Sequence, residues 1–179
     1  HMPAIELGLS ADTDMADMIE EMSGFTFTSN SDAHSRDAIA REYNVLRLQA
    51  PTFFEVALAL RGSDGRRVTS NYGLDPRLGK YHRTFCPMCG HAAAGGSPEM
   101  ECSSCGNVRV VPGVWDRVMS IASREAPVHP AHRPPYVRHV PLAFIPGLGP
   151  RYLDRLIAAF GSEMNVLHRA TRDDLRNVV

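Results

Sequence analysis

Lysine is almost missing from this chain: Lys80 stands alone against eighteen arginines, a bias that says more about a GC-rich genome than about chemistry. Cysteine is missing everywhere except between Cys86 and Cys105, which excludes the disulfide-dense scaffold of a small secreted protein. No apolar run approaches the roughly 20 residues needed to span a bilayer, and no signal-peptide pattern is visible. No membrane partner is therefore expected, and unpaired thiols point to a reducing, cytoplasmic setting. A large excess of either charge is also missing, the net charge being −1. That balance conceals an asymmetry. Residues 1–50 carry nine acids against three bases, and residues 127–179 carry seven arginines against four acids, so polyanion binding is sought at the basic end.

What is present centres on two Cys-x-x-Cys-Gly pairs, Cys86-Pro-Met-Cys89-Gly90 and Cys102-Ser-Ser-Cys105-Gly106. Two intervening residues and a tight turn bring two sulfurs within one edge of a coordination tetrahedron. Cys86, Cys89, Cys102 and Cys105 are thus predicted to hold Zn²⁺. A pair of disulfides or a redox motif would use the same residue type, but thioredoxin-type motifs come singly before a helix. Four sulfur ligands leave no position for water, so the zinc is structural and contributes folding free energy, on the order of 10 kcal/mol in isolated ribbons.

At 179 residues with 44% hydrophobic content, the chain can form one medium domain or two small ones, and a central ribbon favours several small units. His1-Met2 reads as a remnant of tag removal, placing the natural start near Pro3. Ile5, Leu7 and Leu9 alternate as in a strand; a helix is predicted from Asp12-Thr-Asp14 through Met15, Met18, Ile19 and Met22, ending at Gly24. Phe25 to Ser29 reads as a second strand running into Asn30-Ser31-Asp32-Ala33-His34. An Asp-x-His at the end of a strand can present two metal ligands from one face, which makes Asp32 and His34 candidates. On its own the tripeptide equally fits a surface turn in which Asp32 caps the following helix. A short helix over residues 35–43, a strand over 44–48, a helix from the Thr52–Glu55 capping box to Gly62 and a strand over 68–72 follow. This alternation suits a partial α/β layer, too short for a closed parallel barrel.

Gly79-Lys80-Tyr81-His82-Arg83 leads into the ribbon; Lys80, His82 and Arg83 suit either phosphate contact or a solvated connector. After Pro112-Gly113 a helix places Trp115, Val118, Met119 and Ala122 on one face, with Trp115 as a core anchor. Residues 126–141 are rich in proline, with three histidines, and read as an extended connector. Ile145-Pro146-Gly147-Leu148-Gly149-Pro150-Arg151-Tyr152 then opens a helix through Leu153, Leu156, Ile157 and Phe160. This stretch resembles the helix-hairpin-helix motif of DNA repair proteins. Gly147 and Gly149 let backbone N–H groups approach a phosphate, with Arg151 and Tyr152 at the helix start. A plain helix cap and turn is the alternative. Thr171 and Asp174 can form a further capping box.

The order of motifs, Glu6-Leu-Gly-Leu-Ser10, Ser29-Asn-Ser-Asp32-Ala-His34-Ser, Gly79-Lys-Tyr-His82, the four-cysteine ribbon and Arg133-Pro-Pro-Tyr136, resembles the C-terminal portion of the endonuclease Q family over nearly the whole chain. That family joins a PHP (polymerase and histidinol phosphatase) metal-hydrolase domain to a zinc finger and a helical domain. It nicks DNA on the 5′ side of deaminated bases such as uracil and hypoxanthine, and at abasic sites. The resemblance implies that Asp32 and His34 match the last PHP metal-ligand motif and that the four cysteines match the zinc finger. The earlier His-x-His and acidic ligands of a PHP domain are absent, and Glu6 receives no role.

The expected architecture is a multi-unit α+β chain: the end of a PHP-type α/β domain over residues 3–80, a zinc ribbon over 81–113, and a helical domain over 114–179 with the hairpin motif at 140–179. Its expected partner is DNA, as damaged duplex or single strand, bound without cleavage by this segment; a catalytic Zn²⁺, Mn²⁺ or Mg²⁺ belongs to the full-length parent. Self-association through exposed strand edges in the first eighty residues is also expected. A non-enzymatic zinc-ribbon and hairpin module of a helicase or recombination protein explains residues 80–179 equally well and leaves Asp32 and His34 unexplained. A protein-interaction adaptor without DNA affinity is the third reading.

Overall fold

Strands β1 (Ala4–Glu6) and β2 (Thr26–Thr28) pair in parallel, with Ile5 opposite Phe27, and the chain between them supplies the crossover. The computed structural model describes residues 2–79, 81–94 and 99–178 and divides into two units, one ending at His139 and one beginning at Val140. The fold is mixed α+β, built of small sheets and short helices.

In the first unit, helix α1 (Thr13–Ala16) starts where the sequence says: the Asp12 carboxylate accepts Met15 N at 3.0 Å. The predicted continuation through Met22 does not form. A 3₁₀ turn over Glu20–Gly24 follows instead. The reason is long-range competition for the backbone: Met18 O accepts Ser123 N and Arg124 N, and Asp17 O accepts Val128 N. Met15, Met18 and Ile19 are nonetheless buried, as their spacing predicts.

The second sheet orders as β3 (Tyr43–Arg47), β4 (Arg67–Leu74) and β5 (Tyr136–His139), with β3 and β4 antiparallel and β4 and β5 parallel. Helix α2 (Phe53–Arg61) joins β3 to β4. Thr52 Oγ1 accepts Glu55 N at 3.3 Å, and Gly62, at φ 64°, ends the helix in the left-handed region. The box is not reciprocal. Glu55 instead accepts Gln49 N and the Arg66 guanidinium.

Strand β5 corrects the reading of residues 126–141 as a connector. Asn71 N donates to Pro135 O at 2.9 Å and Asp75 N to His139 O at 3.0 Å, so the extended backbone that proline favours is used as sheet. Just before it, Arg133 is sealed in: its side chain is 2% exposed, doubly bonded to the fully buried Asp17 carboxylate, and lies 3.4 Å over the Phe27 ring. His129 Nδ1 meets the same carboxylate at 2.7 Å.

Two amides, the half-buried Asn44 and the fully buried Asn71, join the sheets. Asn44 accepts Ser29 N at 2.8 Å and donates to Ser29 O at 3.0 Å, mimicking a neighbouring strand, while Asn71 Nδ2 donates to Phe27 O at 3.0 Å. Helix α3 (Val114–Ile121) also belongs to this unit. Its Asp116 is 1% exposed and accepts Thr84 N at 2.6 Å and Arg83 Nε at 3.0 Å. Gly113 permits that approach, because a Cβ there would lie 2.3 Å from Arg83 C and Thr84 N.

The second unit contains helices α4 (Pro150–Phe160), α5 (Glu163–Arg169) and α6 (Arg172–Val178) after a 3₁₀ turn at Leu142–Phe144. Leu142, Leu156 and Val166 form its core, with Leu148, Leu153 and Phe160 packed against them. Thr171 and Asp174 make the expected reciprocal box: Thr171 N donates to Asp174 Oδ2 at 2.9 Å and Asp174 N to Thr171 Oγ1 at 3.2 Å. Among the described residues no helix is long and apolar enough to cross a membrane.

Candidate functional site

The two Cys-x-x-Cys segments fold into the same turn. Gly90 N donates to Cys86 O and Gly106 N to Cys102 O, each at 2.9 Å, and both glycines take the positive φ that ordinary side chains resist. The turns face one another, with Cys86 Sγ 3.7 Å from Cys105 Sγ and Cys89 Sγ 3.6 Å from Cys102 Sγ. All four sulfurs lie within 4.8 Å of each other. A disulfide needs about 2.05 Å. Tetrahedral zinc with Zn–S bonds of about 2.3 Å has an S···S edge of about 3.8 Å, so the spacing fits a metal ion. Asn107 Nδ2 donates to Cys86 Sγ at 3.4 Å, a bond that lowers that thiol's pKa.

Asp32 and His34 lie beyond the end of β2, outside regular structure. Asp32 takes φ 44°, and His34 Nε2 is 3.6 Å from Asp32 Oδ2, with both side chains mostly exposed. Among the described residues no third metal-ligating side chain joins them in a cluster. The Asn44 amide, which also donates to Asn30 Oδ1 at 3.0 Å, holds the backbone from which they project.

At the hairpin, Gly147 takes φ 86° and Gly149 caps α4. A Cβ built on either glycine meets nothing within 4 Å, so this backbone is open to an incoming group. Among the described residues the N–H groups of Gly147 and Arg151 have no protein acceptor. Gly147 precedes the N-cap of the 11-residue helix α4 and Arg151 lies in its first turn, where the helix end is positive, beside exposed Tyr152.

The remaining candidates divide. Lys80 lies outside the described residues. His82 and Arg83 are not on a solvated connector; they line a cavity of about 660 Å³ within the first unit. Trp115 lines it too, its ring 6.0 Å from that of His82, so it is less a core anchor than a wall. His82 Nδ1 is buried without a hydrogen-bond partner among the described residues.

Two arginines missed by the sequence reading line the same cavity. Arg77 donates through Nε and Nη2 to Asp75, at 3.0 and 2.6 Å. Arg138 donates through Nε to Asp12 at 2.8 Å and through Nη2 to Asp14. The Arg77 hydrogen bond lowers the Asp75 pKa, and burial opposes it. Only the Asp75-Pro-Arg77 spacing was visible locally; Arg138 is 126 residues from Asp12.

No protein-family model matches the chain. The uncharacterized protein YqxK of Bacillus subtilis is 49% identical over 176 residues, covering 98% of this chain and 44% of that protein. The uncharacterized protein MJ0043 of Methanocaldococcus jannaschii is 35% identical over 195 residues, covering 97% of this chain and 24% of that protein. This chain therefore spans less than half the length of these relatives. Among solved structures, it is similar to the lesion-specific endonuclease PfuEndoQ from Pyrococcus furiosus, with a TM-score of 0.75 and 35% identity, over 99% of this chain and 48% of that one. It is also similar to endonuclease Q in complex with a 27-mer duplex substrate with an abasic lesion at the active site. There the TM-score is 0.80 and the identity 36%, over 99% of this chain and 48% of that one.

Proposed function

We propose that this chain is the DNA-engaging C-terminal part of a DNA repair endonuclease of the endonuclease Q type, and that the segment binds DNA without cleaving it. The observation that carries this is the similarity to the DNA-bound endonuclease Q, which extends over 99% of the chain at 36% identity. It includes the β1–β5 region that a bare ribbon and hairpin module would leave unexplained. The whole protein nicks on the 5′ side of deaminated bases such as uracil and hypoxanthine, or at abasic sites.

In this reading residues 3–80 end a PHP-type hydrolase domain, Cys86, Cys89, Cys102 and Cys105 hold structural zinc, and residues 140–179 form a helix-hairpin-helix. Asp32 and His34 are two ligands of a larger catalytic divalent site; when bound, such metals supply an activated water and offset charge on the phosphodiester. Two exposed ligands do not suffice for a cluster, so the segment alone does not cut. The open N–H groups of Gly147 and Arg151 take a backbone phosphate, which fixes position without reading bases.

The test pairs two assays. Duplexes carrying uracil or an abasic site, with Mg²⁺ or Mn²⁺, are expected to remain intact; robust metal-dependent nicking sinks the claim that the segment lacks a complete site. Anisotropy of labelled abasic duplex is expected to show salt-dependent binding that Gly147→Val and Arg151→Ala each weaken. Absence of DNA binding at low salt removes the reading and favours the adaptor.

A further inference from the structure

A second cavity, of about 440 Å³, opens in the first unit between the end of α2, the start of β4 and the segment that leads into β5; Ala59, Gly62, Gly65, Arg67, His132 and Pro134 line it. It shares no residue with the cysteine site, the hairpin or the cavity of Trp115. We propose that it binds a small phosphate monoester, with the phosphate between Arg67 and His132 and the organic body against Ala59, Val68 and Pro134.

The charge of this cavity has one sign. Arg66, Arg67, Arg133 and His132 contribute to its wall, and no carboxylate does. Two of these cations are already matched: Arg66 donates to Glu55 at 2.9 and 3.0 Å, and Arg133 to Asp17 at 2.7 Å. Arg67 and His132 are exposed, and among the described residues neither side chain has a hydrogen bond or ion pair. Arg67 also stands opposite Arg47 in the antiparallel register of β3 and β4, and the exposed Arg47 side chain is equally without a partner among those residues. Like charges directly opposite one another destabilise a sheet, and an anion beside them offsets that repulsion. The carbonyl end of α2 lies at the same cavity and would oppose an anion. Its last carbonyls are taken, however: Gly62 N donates to Ala59 O at 3.1 Å and Ser63 N to Leu58 O at 3.0 Å.

The backbone adds a donor. Gly65, at φ 77°, has no acceptor for its N–H among the described residues, and a Cβ built there meets nothing within 4 Å. A guanidinium fork, an imidazole and a backbone N–H together match the terminal oxygens of a phosphate monoester. Beside them Ala59 and Val68, 0% and 3% exposed, and the buried Pro134 supply an apolar wall for the rest of the molecule. About 440 Å³ is in the usual range for a small-molecule site. A duplex presents its phosphates on a convex backbone without an apolar body, so a concave, half-apolar site suits a free molecule better. The proposal does not rest on the reading that this chain engages DNA.

Phenyl phosphate is the probe, with phenol and inorganic phosphate as its two halves, all at constant ionic strength and followed by amide shifts in NMR. Saturable shifts confined to the surroundings of Gly62, Gly65, Arg67 and His132 are expected with phenyl phosphate, weaker binding with inorganic phosphate, and none with phenol. Arg67→Ala should weaken phenyl phosphate by roughly tenfold or more, the worth of one charge-assisted hydrogen bond. Because it also relieves the repulsion from Arg47, the variant should stay folded. His132→Gln, at an exposed position, is the second variant and should weaken binding as well. No shifts at millimolar phenyl phosphate, or shifts that both variants leave unchanged, overturn the proposal. An abasic duplex is then added to the saturated protein. Displacement of phenyl phosphate by the duplex makes the cavity a contact for the DNA backbone and overturns the small-molecule site; phenyl phosphate that stays bound, whether or not the duplex binds elsewhere, supports it. A duplex that does not bind at all counts against the DNA-engaging reading alone.

Discussion

Replacing Arg133 by methionine tests whether residues 126–135 are a linker or part of the core. The change deletes two donors to the Asp17 carboxylate, Nε at 3.0 Å and Nη2 at 2.7 Å, and the bonds from Nη2 to Met22 O at 3.2 Å and from Nη1 to Phe25 O at 2.5 Å. It also removes the cation 3.4 Å above the Phe27 ring. Among the described residues the fully buried Asp17 carboxylate keeps the His129 Nδ1 contact at 2.7 Å. Breaking one side of a buried ion pair costs about 3–5 kcal/mol, whereas a substitution in a free linker stays within about 0.5 kcal/mol. For a unit of this size that corresponds to a fall in Tm of roughly 10 °C. Urea and thermal unfolding followed by Trp115 fluorescence read the unit that contains the pair. Arg133→Lys should fall between, since an ammonium cannot reproduce the fork. The double variant Asp17→Asn/Arg133→Met should lose less than the sum of the two single variants. An Arg133→Met protein within about 0.5 kcal/mol of the parent would refute the reasoning.

Three further outcomes are expected. Elemental analysis should find one zinc per chain in the parent and none in Cys86→Ser, whose Tm should also cease to respond to chelators; metal retained by the variant contradicts the four-cysteine site. Glu42 is 3% exposed with Oε2 unpaired, and burial raises its pKa above the ordinary 4.5 despite the Arg41 partner. A raised carboxyl pKa means that folding loses stability as pH rises through the interval just above 4.5. Glu42→Gln should therefore be more stable than the parent at pH 7 and flatter over that interval, and a less stable variant at pH 7 contradicts this. Thr171→Ala should cost the helical unit about 1 kcal/mol by losing its cap. Thr171 lowers the Asp174 pKa, so this contribution is present above the ordinary value of 3.8 and lost as pH falls below it. The variant should show less acid sensitivity by circular dichroism in that window.

Features decided within a few residues were legible. The Asp12, Thr52 and Thr171 caps, the left-handed Gly62 and the paired cysteine turns all follow from local steric and hydrogen-bond preferences. The length of the first helix was not, because its carbonyls are claimed by residues more than 100 positions away. The capping box at Thr52 was half right for the same reason: Glu55 found a better partner in Arg66. His82 and Arg83 carry the residue types of a phosphate contact, but their neighbours, Trp115 and Asp116, arrive from the next helix.

The sequence by itself determined that four cysteines meet in two matching turns and where several helices are capped, since these depend on spacing and on the conformational limits of single residues. Only the tertiary structure decided that a proline-rich stretch becomes strand β5, that Arg133 closes over Asp17, and that Arg77, Arg138, His82 and Trp115 share one cavity. Those outcomes depend on which distant partner satisfies a buried charge or an open strand edge. No local propensity encodes that choice.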